Sequence, residues 1–356
     1  MRKLVTLQTI EDVQPIEGAD FIEYISFKDI DWKCVALKGE FKKGDKAIYF
    51  EIDSFLPLEP EFEFLRKSSY KKMGEKEGLR LKTIKLRGQI SQGLALPLDK
   101  LQRFIKDKEL KEGEDLSEIF GVEKYEQPIK INMNGVKMKN FPSFIEKTDQ
   151  ERVQTFLKKI QKEAFKKGFS LKDIEFEESL KLDGMSMTVY ASEDKEGVCS
   201  RNMEIDASEE EENVLWKVAK EQGLIDILKN LREKGYYLAF QGELLGPKIQ
   251  GNRERLKDYS FFLYDVFDIK KGRKLSVNEK EELFEKEGIN IQQCPVYRKV
   301  KIFEEFDNTE DLLLHAEGKS LNNNVREGLV YKSYDLINGE QVSFKVISNK
   351  FLLKEK

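Results

Sequence analysis

Histidine is nearly missing from this chain: His315 is the only one in 356 residues. A Ser-His-Asp triad or a multi-histidine metal centre therefore has at most one residue to build on. Its setting, Asp311-Leu-Leu-Leu-His315-Ala-Glu-Gly318, reads as a helix end, where a histidine is structural or complements the helix dipole. Cysteine is scarce as well. Cys34, Cys199 and Cys294 are odd in number and far apart, which argues against a disulfide framework or a zinc site and leaves plain buried thiols. No apolar run reaches the roughly 18 residues of a membrane span, and the N-terminus has no apolar leader. The expectation is a soluble, cytoplasmic protein with no membrane partner. An excess of positive charge is also lacking, because 62 Lys and Arg face 66 Asp and Glu. Any nucleic-acid surface must be a local basic patch.

What the chain does have is length and charge. It is long enough for two domains with separate cores, and its 36% charged and 39% apolar residues are a soluble composition rich in Lys and Glu. The first hundred residues read as short strands, Leu4 to Ile10, Phe21 to Phe27, Trp32 to Leu37, Ala47 to Ile52, Leu79 to Leu86 and Leu94 to Leu98, separated by polar turns. That spacing predicts a small barrel or sandwich. Helices at Leu98 to Ile105 and near Glu114 to Phe120 close this domain, set at residues 1–125. Periodicity fades around Pro128, Gly135 and Pro142, which marks a linker over 126–147.

From 148 to 356 strands and helices are interspersed, predicting an α+β domain on antiparallel sheets. Thr148 with Glu151 reads as a capping box opening a helix to Lys167. Further helices are expected over Glu209 to Gln222, Leu224 to Lys234, Asn278 to Glu287 and Thr309 to Glu317. Strands are expected over Met187 to Ala191, Tyr237 to Leu244, Ser260 to Phe267, Gly328 to Tyr331 and Gln341 to Ile347. The acidic run Glu209 to Glu212 is a solvated helix start.

Within the first domain, Leu79 to Gly88 alternates basic and apolar residues, and its inward parity changes once. A bulge near Thr83 would put Arg80, Lys82, Lys85 and Arg87 on one outer face. Two readings stand: a charged edge that blocks aggregation, or a face that contacts phosphates.

In the second domain, Glu178-Ser-Leu-Lys181-Leu-Asp183-Gly184 sets a lysine two residues ahead of an aspartate. In an extended chain both face one ligand, and Gly184 permits close backbone approach. Downstream follow Ser200-Arg201-Asn202, Phe240-Gln-Gly-Glu243-Leu-Leu-Gly246, Tyr264-Asp-Val-Phe267-Asp268, Glu327-Gly-Leu-Val-Tyr-Lys332 and Ser343-Phe-Lys345. In this order, across nearly all of Phe141 to Lys356, they resemble the collinear motifs of the covalent nucleotidyltransferases, the superfamily of polynucleotide ligases and messenger-RNA capping enzymes. The chain ends 11 residues after Lys345, which leaves no room for the C-terminal barrel of capping enzymes and most DNA ligases. The barrel is expected ahead of the catalytic domain instead, the arrangement of the type 5 RNA ligases.

The resemblance implies an oligonucleotide-binding (OB) barrel followed by an adenylyltransferase domain. The activity it implies is ATP-dependent sealing of RNA with a 3′-hydroxyl and a 5′-phosphate, at a nick in a duplex or a broken strand, as in RNA repair. Lys181 is the implied nucleophile, forming lysyl-AMP from ATP. A lysine amine attacks only when neutral, so its ordinary pKa near 10.4 must be lowered by burial or a nearby cation. Asp183, Glu243 and Glu327 are the candidate holders of a hydrated Mg2+ or Mn2+. Glu243 has a second reading, as acceptor for the ribose hydroxyls.

Arg201, a planar fork suited to phosphate, is implied as a contact to the nucleotide or to the incoming 5′-phosphate. Phe267 reads either as an adenine face or as core, and backbone groups near Leu180 are candidates for the adenine edge. Lys345, 18 residues after Glu327, is implied at the α-phosphate. Many relatives carry lysines two apart in the last motif. This chain has Ser343 first, so the second lysine's role is either vacant or filled by Lys332. Gly246-Pro-Lys248-Ile-Gln250-Gly-Asn252 is read as a substrate or nucleotide contact or a simple loop. The protein is expected to act as a monomer. A DNA ligase and a non-catalytic nucleic-acid-binding protein with a vestigial pocket remain the alternatives.

Overall fold

The first strand, Val5–Pro15 (β1), is 11 residues long and serves two partners. The computed structural model describes residues 2–106, 108–126, 136–209, 211 and 213–354. Ile22–Phe27 (β2) pairs with the second half of β1, and Lys33–Leu37 (β3) pairs with β2. Lys46–Phe50 (β4) pairs with the first half, Val5 opposite Phe50. The β1 register shifts between Ile10 and Asp12, a bulge that bends one strand across both halves of a curved sheet. Leu94–Pro97 joins the free side of β4. The inward residues Val5, Leu7, Ile48, Phe50, Leu79 and Leu96 meet Phe62, Leu101 and Phe120 in one core. The small barrel predicted for the first hundred residues is present.

The chain divides into two compact units, one of residues 1–128, 151–169 and 352–356 and the other of 129–150 and 170–351. The helix Val153–Lys167, expected in the second domain, packs in the first. Its anchors are specific: Trp32 donates its indole N–H to Thr155 Oγ1 at 2.8 Å, and the Asp31 N–H reaches Gln154 O. The capping box does not form. Arg152 is the N-cap and offers no side-chain cap, because Thr148 Oγ1 is engaged with Ser186 Oγ at 2.9 Å.

Two more expectations fail locally. Glu114 to Phe120 is not helical, since Asp115 bridges to Thr6 and the Leu116 N–H donates to Val5 O, adding this segment to the sheet. Leu79 to Leu86 is not one bulged strand. One strand ends at Arg80 and the next, Thr83–Leu86, forms its own hairpin with Gln89–Gln92. Pro128 and Gly135, which marked the linker, and Glu210 and Glu212 of the acidic run lie outside the described residues.

The second unit is α+β on antiparallel sheets, as predicted. Its larger sheet runs in the order Met138–Asn140, Met203–Ile205, Glu196–Cys199, Met185–Ala191, Leu238–Leu245, Ser260–Asp268 and Arg273–Lys274. The helices Val214–Glu221, Leu224–Glu233 and Val277–Glu287 bury their apolar stripes against it. Asn213 caps the first and Ser276 forms a full capping box with Glu279 in the third. The other sheet sets Glu340–Ile347, Gly328–Ile337, Phe176–Lys181 and Val296–Val300 side by side. His315 ends the helix Thr309–His315, with Nε2 2.9 Å from Glu178 Oε2, a structural place.

Arg80 turns inward because Asp53 draws it. Asp53 is also paired with Arg2 at 3.1 Å and Arg152 at 2.8 Å, and the three guanidiniums hold its carboxyl well below the usual range despite burial. Asp53→Asn is therefore expected to destabilise the first unit by about 3 kcal/mol or more, since it leaves buried arginines uncompensated. A depressed folded pKa adds stability that is fully present above the unfolded value, so this contribution should decline progressively as the pH falls below about 4. Urea melts followed at buried Trp32, with Trp216→Phe to silence the other tryptophan, would measure both effects.

Candidate active site

Lys181 closes the strand Phe176–Lys181, which pairs antiparallel with Gly328–Ile337 so that Lys181 faces Gly328. The register sets Glu327 beside the lysine, and Lys181 Nζ donates to Glu327 Oε2 at 2.7 Å. After Lys181 the chain leaves that sheet and enters the larger one at Met185. Leu182, Asp183 and Gly184 are the crossing. There Met185–Ala191 pairs with Leu238–Leu245, Ser186 opposite Glu243, and Glu243 Oε1 accepts the Gly184 N–H at 2.9 Å.

Two glycines make these approaches possible. A Cβ on Gly184 would lie 2.5 Å from Leu244 O and from Leu245 Cδ2, and one on Gly328 would lie 2.0 Å from Val346 O. The sequence predicts that Gly184 lets the backbone approach a ligand. The neighbour it approaches is instead the strand that carries Glu243.

The site is one ammonium among three acids. Burial alone would lower the Lys181 pKa, but Glu327, Glu243 and Asp183 outweigh it and raise the value. The expected lowering is thus not a property of the free protein. Burial and then the Glu327 charge push Asp183 up to about 7, against the pull of Lys181 and Arg253. Burial pushes Glu243 up to about 7, with Glu327 adding to the shift while Lys181 and the Gly184 N–H oppose it. Such excess negative charge suits a divalent cation. Among the described residues no group of three His, Cys, Asp or Glu forms a ready-made metal cage. The acids fit a cation that keeps its own water shell, as Mg2+ commonly does.

Lys345 joins this site through register. Ser179, Val330 and Lys345 lie side by side on adjacent strands, and Lys181, Gly328 and Ile347 do the same two residues along, so Lys345 shares the sheet face of Lys181. Lys332 shares that face too, between Glu177 and Ser343. However, it is 2% exposed and ion-paired with buried Asp265 at 2.8 Å, which is also bound by Lys274. It is therefore committed to the protein and not open to a ligand. Arg201 is half-buried and paired with Asp149, and its charge acts on Glu243.

Two expectations for the adenine change. The Leu180 N–H donates to Pro295 O at 2.8 Å and so has no hydrogen to offer a base. Phe267 packs in the core with Ile145, Tyr190, Cys199 and Ala239. The aromatic residue on the site's side is Tyr264, packed beside Leu180, Leu182 and Phe262, with its hydroxyl 3.1 Å from Ser186 Oγ. Tyr264 sits at an irregularity of its strand, between Leu263 opposite Gly242 and Asp265 opposite Gln241, so simple alternation counted from Phe267 does not reach it. The irregularity leaves no mark in the sequence, so the motif did not show which aromatic borders the Lys181 site.

Sequence reasoning missed Arg253, 3.6 Å from Asp183 and bonded through Nη2 to Val325 O at 3.0 Å. The segment singled out, Gly246 to Asn252, stops one residue short. It is no simple turn: Lys248, Gln250, Asn252 and Arg255 all have φ between +41° and +68°. Non-glycine residues rarely hold that conformation, and clusters of it mark functional loops.

Of the four basic residues predicted to share an outer face, Arg80 is only 5% exposed and stacks over Tyr125. Lys82 is half-buried, while Lys85 and Arg87 are exposed on the hairpin. The structure does not bring the four together on one face.

Comparison with known proteins matches residues 4–98 to an OB-fold domain model and residues 174–347 to an RNA ligase model. Solved structures of Naegleria gruberi RNA ligase superpose over nearly the whole length. A mutant without ligand is 40% identical, with TM-score 0.85 over 99% of this chain and 98% of that one. The same enzyme with pyrophosphate is 40% identical, with TM-score 0.84 over 99% of both. A mutant with ATP and Mn is 39% identical, with TM-score 0.84 over 99% of both. A search of curated protein sequences gives no match. At this identity over this length, with the lysine and its acids gathered where two sheets meet, the chain belongs to the RNA ligase family.

Proposed function

We propose that this protein is an ATP-dependent RNA ligase that works through a lysyl-AMP intermediate on Lys181. The observation that carries the reading is the Lys181 amine 2.7 Å from Glu327, with Asp183 and Glu243 acting on the same charge. The similarity to a ligase solved with ATP and Mn supports ATP and a divalent cation as its requirements.

Asp183, Glu243 and Glu327 would hold the hydrated cation, which when bound neutralises their charge and that of the phosphates. With those acids offset, the burial of Lys181 favours the neutral amine instead of being outweighed. The Lys181 nitrogen then attacks the α-phosphorus of ATP. A P–N bond forms as the P–O bond to pyrophosphate breaks, and pyrophosphate leaves with the electron pair. Lys345, on the same face, offsets charge on the α-phosphate as it becomes pentacoordinate. Tyr264 borders the base and Arg201 stands ready for phosphate.

A 5′-phosphate oxygen of the RNA next displaces the lysine from AMP. The 3′-hydroxyl then attacks that 5′-phosphorus, expels AMP and closes the strand. The protein mainly supplies position and positive charge. All of these residues come from one chain, and we infer that it acts as a monomer on nicked or broken RNA. Lys82, Lys85 and Arg87 are proposed contacts to that RNA. Among the described residues no helix is long and apolar enough to cross a membrane.

Incubation with α-labelled ATP and Mn2+ should leave label on the denatured protein. Lys181→Ala and Lys181→Arg should abolish it, the latter because a guanidinium stays protonated. Lys345→Ala should slow labelling by about 10²–10³-fold. An unlabelled wild-type protein would dismiss the reading.

Asp183 and Glu243 titrate near neutrality when free. Carboxyl groups with raised folded pKa values stabilise the fold at low pH and lose that contribution as the pH rises through about 7. The metal-free protein should therefore melt at a lower temperature at pH 8 than at pH 6, taken as about one unit either side of that value. Mn2+ should raise the melting temperature more at the higher pH. Thermal melts of wild type against Glu243→Gln, which should narrow the gap, check the assignment.

A further inference from the structure

Away from the lysine site, the first unit has a cleft of about 540 Å³ lined by Arg66, Lys67, Ser68, Tyr70, Lys71 and Lys82. No acid lines it. Arg66 is paired with Glu63, but Lys67, Lys71 and Lys82 make no ion pair among the described residues. Lys71 and Lys82 are half-buried, and a half-buried ammonium without a counter-ion is costly unless water or an anion completes it. Lys71 lies on Tyr70–Met73, an edge strand paired only with Lys76–Arg80. Lys82 is in the two-residue gap between that partner strand and the next hairpin. The gap is what turns Lys82 toward the Arg66–Lys71 side instead of into line with Lys85 and Arg87.

Tyr70 gives the cleft a flat wall. Its ring is exposed and its hydroxyl is hydrogen-bonded to Glu77, which is itself 2.8 Å from Lys72. The ring is thereby held from one end while remaining partly open to solvent. Several cations beside an exposed aromatic ring match a nucleic-acid strand, whose backbone is charged and whose bases stack. They do not match an apolar peptide, for which the cleft has no greasy floor.

We propose that this cleft binds the phosphate backbone of the RNA substrate through Lys67, Lys71 and Lys82, with a base stacked on Tyr70. The site rests on the RNA ligase reading but differs from the strand face expected from sequence, of which it keeps only Lys82. Arg66, held by Glu63, borders the site.

The test uses the full-length protein and fluorescence anisotropy with a nicked RNA duplex over a series of potassium chloride concentrations. The combined Lys67→Ala, Lys71→Ala and Lys82→Ala variant should bind about ten- to a hundredfold more weakly. The slope of log Kd against log salt should fall by about 2–3, because each phosphate contact contributes about 0.9. Tyr70→Ala should weaken binding with the slope unchanged, and Tyr70→Phe should not. The triple Lys→Arg variant should keep the wild-type slope, which separates charge from folding.

Labelling of Lys181 by ATP alone should be unaffected in every variant. An unchanged slope in the triple alanine variant, an equal loss of labelling, or a wild-type protein that does not bind RNA would overturn the proposal. Salt-dependent binding through these lysines by a protein that takes no label from ATP would uphold the cleft and remove the ligase reading.

Discussion

The ion pair between Lys181 and Glu327 joins two segments 146 residues apart, and the second unit is built to bring them to one point. Its partners arrive from three directions: Glu327 from the neighbouring strand, Glu243 from the other sheet, and Asp183 from the crossing between the sheets. No helix or single hairpin holds two carboxylates and the amine together in this way. The site requires a chain that leaves one sheet and enters another within three residues. Gly184 and Gly328 sit where the backbones come too close for a Cβ, so the glycine of each motif shapes the protein as much as the pocket.

A second set of charges spans the two sheets, Lys332 from one and Asp265 and Lys274 from the other. Lys332, Asp265 and Lys274 are almost wholly buried, and the two ammoniums hold the Asp265 carboxyl well below its usual range. A fully paired group of this kind has little reason to change its protonation, whereas burial first, and then the Glu327 charge, push Asp183 and Glu243 up to about 7 against the pull of Lys181. Local charge balance thus separates the two groups: two ammoniums meet the one carboxylate of Asp265, whereas three acids surround the one ammonium of Lys181.

How much of this was legible depended on how local the signal was. Strand alternation and capping residues act over a few positions, and the barrel strands, the Ser276 helix and the α+β character could be read from them. The motif residues Lys181, Asp183, Glu243 and Glu327 could be named because their order along the chain carries information. Arg80 was misread because nothing near it in sequence announces Asp53, which is 27 residues away and also gathers Arg2 and Arg152. Thr148 was misread for the same reason, its hydroxyl being taken by Ser186. Phe267 and Tyr264 show a finer limit: a period of two cannot be counted across the irregularity at Tyr264, which nothing in the sequence announces. Arg253 left no pattern at all, since its role follows from a loop whose left-handed residues are visible only in three dimensions.

The departure in the last motif acquires a physical account from the strand register. Ser343, which the motif reading sets two residues ahead of Lys345, lies directly opposite Lys332 on the adjacent strand, and both face the side on which Lys181 stands. A lysine at 343 would put a further ammonium beside one already paired with Asp265, at the roughly 5 Å spacing of neighbouring strands. Serine avoids that repulsion. Lys332 keeps a cation at this level of the sheet, but its bond to Asp265 draws it inward and away from any ligand. Of the other cations on this face, Lys345 is the one whose register places it between buried Lys332 and Lys181, which fits the α-phosphate role proposed for it.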